Sequence, residues 1–235
     1  MLHFVEITQN DVFKSISANE VDTYWNELIK KNQGKKILFD DILYCGFYIG
    51  NKLAIYRSSF KFFLYASSHN IDINALSGML FLKTKDDKIL IIKRSSKVLR
   101  FPDHYSIPGG YLSQLDFDSA NIALNIKTFL CTELIEELGL DISPLQVDFI
   151  GNANNINNKN IYLYFLAKIG KTSTELKQII SIGKEEVSDV FFLDYGQLKD
   201  LMDSQDSKIS PVLSLLRHNN SVDIDKHLSS ATLSS

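Results

Sequence analysis

The sequence predicts an α+β fold that contains both strands and helices, with an N-terminal helix and a small antiparallel β extension. Apolar residues make up 45% of the 235 residues and charged residues 23%, proportions typical of a folded domain. Short apolar runs bounded by turn residues alternate with stretches of helical periodicity. The 11 glycines and 4 prolines are too few for a collagen-like or low-complexity chain.

Charge balance and cysteine content exclude several classes of protein. A net charge of -3, from 25 basic and 28 acidic residues, argues against a broad nucleic-acid-binding face. Cys45 and Cys131 are too few for a disulfide framework and lack zinc-ligand spacing. The chain starts without a signal-like pattern, and no apolar stretch approaches the ~18 residues of a membrane span. We therefore expect a cytoplasmic protein that binds neither nucleic acid nor membrane.

Residues 1–76 are predicted to form an accessory region. Residues 42–56 are predicted to form two strands joined at Gly50-Asn51, a dipeptide that favours a tight hairpin. The aromatic segment 60–66 is predicted as a further strand, and the polar run 67–74 marks the boundary of the region. A helix before them is indicated by apolar residues at helical spacing, namely Val21, Tyr24, Trp25, Leu28 and Ile29.

Residues 77–217 are predicted to form the main domain. A double glycine, Gly109-Gly110, follows a loop and permits close approach of the backbone to a ligand. A later helix ends at Leu138, with Gly139 just past its end. Residues 218–235 are polar and serine-rich, and we expect them to be a mobile tail. The predicted strands, which precede two short C-terminal helices, are 78–84, 88–93, 147–151, 161–169 and 187–193.

Glu133, Glu136 and Glu137 stand at i, i+3 and i+4, so on a helix they converge on one face. Three neighbouring carboxylates repel one another unless a divalent cation balances them, and oxygen-rich sites suit Mg²⁺ or Mn²⁺. A solvated acidic face is the alternative. At about 100° per residue, the carboxylates continue an apolar stripe and are expected to point into a cleft. That stripe lies upstream on the same face and comprises Ile122, Ile126 and Phe129.

This segment resembles the Nudix box, whose pattern is G-x5-E-x7-R-E-U-x-E-E-x-G-U, where U is aliphatic. With Gly110 as the leading glycine, Asp116 falls on the first acid of the pattern. The three glutamates fall on the family's metal-binding glutamates, and Gly139-Leu140 close the motif. The likeness covers about residues 77–203.

Three departures from the pattern stand out. The spacer between Asp116 and Thr132 holds fifteen residues where the pattern has seven; the leading acid is aspartate; and Thr132 replaces the arginine. Either Lys127 or Arg94 supplies the missing charge, or metal affinity is weaker. The altered spacing and the segment 93–98 are also similar to the branch of the family that hydrolyses UDP-sugars.

The resemblance implies a Nudix-like α/β/α sandwich with a mixed sheet. It also implies Mg²⁺-dependent hydrolysis of a nucleoside diphosphate linked to another moiety, for example a nucleotide sugar. Mn²⁺ is an alternative cofactor. Glu133, Glu136 and Glu137 would hold the metal, and Glu137 or the downstream acid Glu186 would take a proton from the attacking water. Substrate contacts are expected from Arg94, Arg100, Gly109 and Gly110. For the two arginines, the alternative is that they are ordinary surface charges.

Two other hypotheses stay open. A binding module that keeps the scaffold but has lost catalysis accords with the missing arginine and the longer spacer. An interaction protein would instead use the aromatic segment 60–63 as its working surface. In the enzymatic hypothesis, residues 1–76 serve substrate recognition or the formation of a homodimer.

Overall fold

The computed structural model describes residues 3–6, 16–33, 42–50, 52–113, 122–183, 185–204, 208–217, 222 and 224–229. Its strands are His3–Glu6 (β1), Ile42–Ile49 (β2), Lys52–Ser59 (β3), Asn74–Lys83 (β4), Ile89–Arg94 (β5), Tyr105–Ser106 (β6), Gly109–Tyr111 (β7), Val147–Asn155 (β8), Asn160–Lys168 (β9) and Val187–Leu193 (β10). Its α-helices are Ala18–Lys31 (α1), Phe60–Ser68 (α2), Ile122–Leu138 (α3), Ser173–Ile179 (α4), Tyr195–Asp203 (α5), Pro211–Ser214 (α6) and Ile224–Leu228 (α7).

All the strands belong to one mixed sheet organised around β4. The main path runs β1-β3-β2-β4-β5-β10, in which β1 is parallel to β3 and the other pairs are antiparallel. One edge of β4 pairs in parallel with β9, from Ala75 to Lys83. The other edge is shared in turn by β2, β7 and β5. Every residue of β4 is buried, as expected for a strand covered on both faces.

Helices cover both faces of this sheet, which confirms the predicted α+β class and its sandwich arrangement. On one face, the buried side chains of α3 and α4 pack with alternate residues of β4 and β9. On the other face, buried side chains of α5, α6 and α7 pack with the intervening residues of the same strands. Of the helices described, none is both long and apolar enough to cross a membrane.

The N-terminal hairpin and helix follow the prediction. The two strands β2 and β3 pair from Ile42↔Ser59 to Ile49↔Lys52. Gly50 has a φ of 61°, the positive angle that a tight turn requires, while Asn51 lies outside the described residues. Helix α1 contains all the apolar positions that indicated it.

The predicted strand over residues 60–66 is wrong, because this segment is helix α2. The Ser59 side chain accepts a hydrogen bond from the Phe62 backbone N–H and so caps the helix. Phe60, Phe63 and Ala66 are buried at a spacing of three, which is the helical period. These rings are covered by the core, so they do not form the exposed aromatic surface that the interaction-protein hypothesis needs.

The predicted boundaries also differ from the structure. The boundary between residues 76 and 77 falls inside β4, because the strand begins at Asn74, where it pairs with β2. Residues 1–76 are therefore joined to the main domain by a shared sheet rather than by a linker. The expected mobile tail contains α7, and Val222, Ile224 and Leu228 are buried in the core.

Candidate active site

The C-terminal end of α3 carries the glutamates and is closed by a glycine. Gly139 has a φ of 65°, and its N–H donates to the Ile135 carbonyl at 2.9 Å. The Leu140 N–H also reaches back, to the Leu134 carbonyl at 3.2 Å, and the Gly139 bond is the 5→1 bond of an αL motif. Leu134 is fully buried, so the face of the last turn is fixed against the sheet.

The loop before β10 satisfies the last carbonyls of the same helix. The Ser181 N–H donates to the Leu138 carbonyl at 2.9 Å, and the Gly183 N–H donates to the Glu137 carbonyl at 2.8 Å. A Cβ atom on Gly183 would lie 2.6 Å from the Glu136 carbonyl oxygen, so glycine allows this close approach. The loop therefore holds the end of α3 beside residues 185 and 186.

A cavity of about 730 Å³ lies between the end of α3, the double glycine and the loop before β10. Two groups of residues that matter for chemistry line it. The acids are Glu133, Glu136, Glu137, Glu185 and Glu186. The predicted substrate contacts are Arg94, Arg100, Gly109 and Gly110.

Glu137 is the buried acid of the cavity. It is 3% exposed, and its Oε2 atom has no hydrogen-bond partner among the described residues. Burial raises the pKa of its carboxyl well above the ordinary value, and the charges of Glu133 and Glu186 raise it further. The Arg94 charge and a hydrogen bond from the Gly109 backbone N–H lower this pKa in part. The site thus holds a desolvated acid between other acids.

The double glycine brings the backbone close to the glutamates. A Cβ atom on Gly110 would lie 2.8 Å from Glu133 Oε2, which is too close for a larger residue without displacement of that carboxylate. Gly109 has a φ of 130°, and a Cβ atom there would lie 2.1 Å from the Gly78 carbonyl oxygen. The backbone therefore requires glycine at position 109, whereas glycine at position 110 leaves the Glu133 carboxylate in its place.

Two arginines reach the cavity from β5 and the loop after it. Arg94 Nε donates to the Arg100 carbonyl at 3.3 Å. Of the two cations that the sequence left open, it is Arg94 whose charge acts on Glu137, whereas the Lys127 charge acts on Cys131. Arg94 also lines the cavity together with Glu137, so it is the cation favoured as the partner of the buried acid.

The remaining acids differ in their surroundings. Glu133 is half-buried and Glu136 is exposed, although both line the cavity. The Glu186 carbonyl accepts a hydrogen bond from the Ser95 N–H at 2.8 Å, which fixes its backbone against the end of β5. Asp116, the predicted leading acid, lies outside the described residues.

The donor set has the chemistry of a site for a hard cation. All the acids supply carboxylate oxygens, the ligands that Mg²⁺ prefers, and one of them is buried with an unpartnered oxygen. Across the described ranges, however, no three His, Cys, Asp or Glu side chains form a group placed to hold a metal ion. The residues therefore fit a metal by their chemistry, while the described side chains do not form a complete ligand shell.

Sequence reasoning missed the wall that the N-terminal region contributes. Ile42, Leu43 and Phe60 line the same cavity as the glutamates. They reach it because β2 pairs with β4 and the Tyr44 N–H donates to the Leu112 carbonyl at 2.9 Å. These contacts join distant parts of the chain, so no local pattern signals them.

Comparisons with known proteins agree with the motif. No family model matches the chain. The curated protein "Nudix hydrolase 9" of Arabidopsis thaliana is 26% identical over 122 residues, a match that covers 44% of this chain and 39% of that protein. The chain thus spans well under half the length of this relative. The match confirms the resemblance to Nudix hydrolases that the glutamate segment predicts.

Likeness to solved structures is weaker. DR0079 from Deinococcus radiodurans shares 14% identity at a TM-score of 0.47, covering 61% of this chain and 81% of its own. The NUDIX domain of Shewanella oneidensis NrtR, solved with ADP ribose, shares 15% identity at a TM-score of 0.41, covering 61% of this chain and 82% of its own.

Proposed function

We propose that this relative of the Nudix hydrolases is a Mg²⁺-dependent pyrophosphohydrolase that cleaves a nucleoside diphosphate linked to another moiety, for example a nucleotide sugar. The observation that carries the proposal is Glu137, buried in the cavity with an unpartnered Oε2 and beside other acids. An acid in such surroundings is costly for folding. A bound divalent cation would offset that cost.

Glu133, Glu136 and Glu137 are the residues that would hold the cation, with Mn²⁺ as an alternative to Mg²⁺. When bound, a divalent cation neutralises a diphosphate, lowers the pKa of water and stabilises the leaving oxygens. The exposure of Glu136 and the half-burial of Glu133 leave these carboxylates within reach of a ligand in the cavity.

Glu186 is the proposed general base that takes the proton from the attacking water. Its backbone is anchored by Ser95, and its side chain lines the cavity together with the glutamates of α3. Arg94 is proposed to take the part of the arginine that the family pattern has at the position of Thr132. Its charge partly balances that of Glu137.

The substrate contacts would come from both sides of the double glycine. Arg94 and Arg100 line the cavity, and a guanidinium binds phosphate oxygens with charge-assisted hydrogen bonds. Gly109 and Gly110 lack side chains that would keep a diphosphate away from the backbone. These assignments fit a negatively charged substrate that spans the cavity between the arginines and the glutamates.

A second candidate function is a binding module on the same scaffold. It is favoured by Thr132 in place of the arginine, and by the incomplete ligand shell among the described side chains. Such a module would bind a nucleotide in the cavity and release no product.

A substrate screen tests the proposal. The purified protein is incubated with a sugar nucleotide, a dinucleoside polyphosphate, ADP-ribose and a nucleoside triphosphate, each with Mg²⁺, Mn²⁺ or EDTA. We expect release of a nucleotide or phosphate from at least one compound, loss of release in EDTA and recovery when Mg²⁺ is restored. Calorimetric binding in Mg²⁺ without product would favour the binding module, and hydrolysis that persists in EDTA would contradict the role of the metal.

Replacing Gly110 by alanine is expected to lower kcat/KM by roughly 10²-fold, because displacements of about 1 Å in a site have effects of this size. The added Cβ would lie 2.8 Å from Glu133 Oε2 and push that carboxylate from its position. Steady-state kinetics on the best substrate of the screen measures the effect. Gly170→Ala is the matched control, since nothing lies within 4 Å of its Cβ position. A Gly110→Ala protein with the control's activity would show that the Glu133 position is unimportant.

A further inference from the structure

The cavity has a second part whose chemistry differs from that of the acidic end. We call it the apolar lobe; the residues that define it are Ile42, Leu43, Phe60, Leu99, Phe101 and Tyr111. Leu43, Phe60, Leu99 and Tyr111 also belong to one hydrophobic cluster, so the lobe is a continuous surface. None of these side chains has a place in the hydrolytic roles proposed above.

Half of the apolar lobe comes from the first 76 residues, and the sheet fixes its position. The Leu43↔Ser113 bridge and the Tyr44 N–H bond to Leu112 tie β2 to the segment after the double glycine. Ile42 begins β2 and is 49% exposed, which is unusual for a large aliphatic side chain that lines a cavity. Its exposed surface would be covered by whatever fills the lobe.

The floor of the lobe is aromatic. The Phe60 and Tyr111 ring centroids are 5.7 Å apart. The Arg100 guanidinium lies 5.5 Å from the Phe101 centroid and 5.9 Å from the Tyr111 centroid, and its Nη1 donates to the Tyr111 hydroxyl. Phe60 is buried and supports Tyr111 from behind, whereas the half-buried side chains of Arg100, Phe101 and Tyr111 offer flat surfaces on which another planar group can stack.

The apolar lobe suits the two rings of a nucleotide, the sugar and the base, to different degrees. A sugar ring placed against Ile42 and Leu43 would leave hydroxyl groups without hydrogen bonds, which is costly. A nucleobase presents an uncharged π face that loses no hydrogen bond on an aliphatic or aromatic wall. The chemistry of the lobe therefore favours the base.

We propose that the apolar lobe binds the nucleobase of the substrate, and that Ile42 is a specificity-determining residue. The inference rests on the proposed function in one respect, namely that the substrate is a nucleotide. It assigns base recognition to β2 and α2, which precede the glutamate helix in the chain and lie outside the stretch of sequence that resembles the Nudix family.

Calorimetry with the full chain tests this inference without relying on turnover. The probes are AMP, UMP and ribose 5-phosphate in Mg²⁺ buffer, and the variants are Ile42→Ala and Ile49→Ala. Ile49 is the matched control, because it lies at the other end of β2, is 56% exposed and does not line the cavity. Both variants remove the same atoms from exposed positions, so both are expected to fold.

We expect Ile42→Ala to raise the Kd of the better-bound nucleotide about tenfold, a typical effect of lost apolar contact in a pocket. Ile49→Ala should leave that Kd unchanged. Ribose 5-phosphate, which lacks a base, should bind Ile42→Ala and the wild type alike. A cavity contact with the base predicts all three results together.

Three outcomes would overturn the inference: equal nucleotide affinity of Ile42→Ala and the wild type, equal weakening of ribose 5-phosphate, or absence of nucleotide binding to the wild type. The proposed function fails separately. A protein that binds a nucleotide through Ile42 but hydrolyses no compound of the screen would keep the base site and refute the pyrophosphohydrolase.

Discussion

Replacing Glu137 by glutamine is expected to reduce hydrolysis by about 10²–10⁴-fold, the range associated with loss of an acid–base or ligand group. The same change is expected to stabilise the fold in metal-free buffer by about 1 kcal/mol. Glutamine has nearly the same shape but carries no charge, so it removes the desolvation of a buried acid and its repulsion by Glu133 and Glu186. The two effects have opposite signs because the residue is placed for function at a cost in stability.

Kinetics on the best substrate and thermal unfolding with EDTA measure the two effects. A stabilisation of about 1 kcal/mol corresponds to a Tm increase of roughly 2–4 °C for a chain of this size. Glu20→Gln, in the exposed first turn of α1, serves as the control for a charge change outside the site. An active Glu137→Gln enzyme would remove the assigned role, and a lower Tm would show that the buried carboxylate contributes to folding.

Replacing Gly109 by alanine is expected to destabilise the protein by about 3 kcal/mol, since it combines backbone strain with overpacking. The φ of 130° is disfavoured for any residue with a side chain, and the Cβ atom would meet the Gly78 carbonyl oxygen at 2.1 Å. That oxygen belongs to β4, the strand that holds the sheet together, so it has little freedom to move. The change would also disturb the hydrogen bond from the Gly109 N–H to Glu137.

Denaturant unfolding of Gly109→Ala and Gly110→Ala, measured side by side, tests whether backbone strain and overpacking at Gly109 cause the destabilisation. The two positions are adjacent in β7, but the Cβ atom at Gly110 meets only the flexible end of a side chain. We therefore expect Gly110→Ala to unfold close to the wild-type midpoint and Gly109→Ala to unfold much earlier or to be insoluble. Equal midpoints for the two variants would show that β4 and β7 can separate without cost.

Local patterns predicted the elements that local interactions determine. Gly139 ends α3 where its position indicated, and Gly50 turns the β2–β3 hairpin. The aromatic run after Ser59 was misassigned because aromatic residues favour strands, although the spacing of Phe60 and Phe63 is helical. Helix α4 was missed even though Thr172 forms a capping box at its start, so in that case the signal was present in the sequence.

Long-range contacts account for the remaining differences. The segment around Leu228 looks polar in isolation, yet its carbonyl accepts a hydrogen bond from Lys83 Nζ at 3.2 Å and its side chain is buried. The choice of Arg94 over Lys127 beside Glu137 likewise depends on how β5 lies against α3. For the candidate site, the sequence located the acids, arginines and glycines, but it did not indicate the apolar lobe.

Because β4 pairs with both β2 and β7, a ligand would bind to a cavity whose walls are already in place. It hydrogen-bonds to β2 near its beginning and to β7 in its middle, so the apolar lobe and the double glycine are attached to one continuous lattice of main-chain bonds. A ligand that contacts the apolar lobe and the double glycine would find these two walls at the same distance from each other before and after binding. Association would then require little reorganisation of the protein, and preorganisation of this kind favours affinity by reducing the entropy lost on binding.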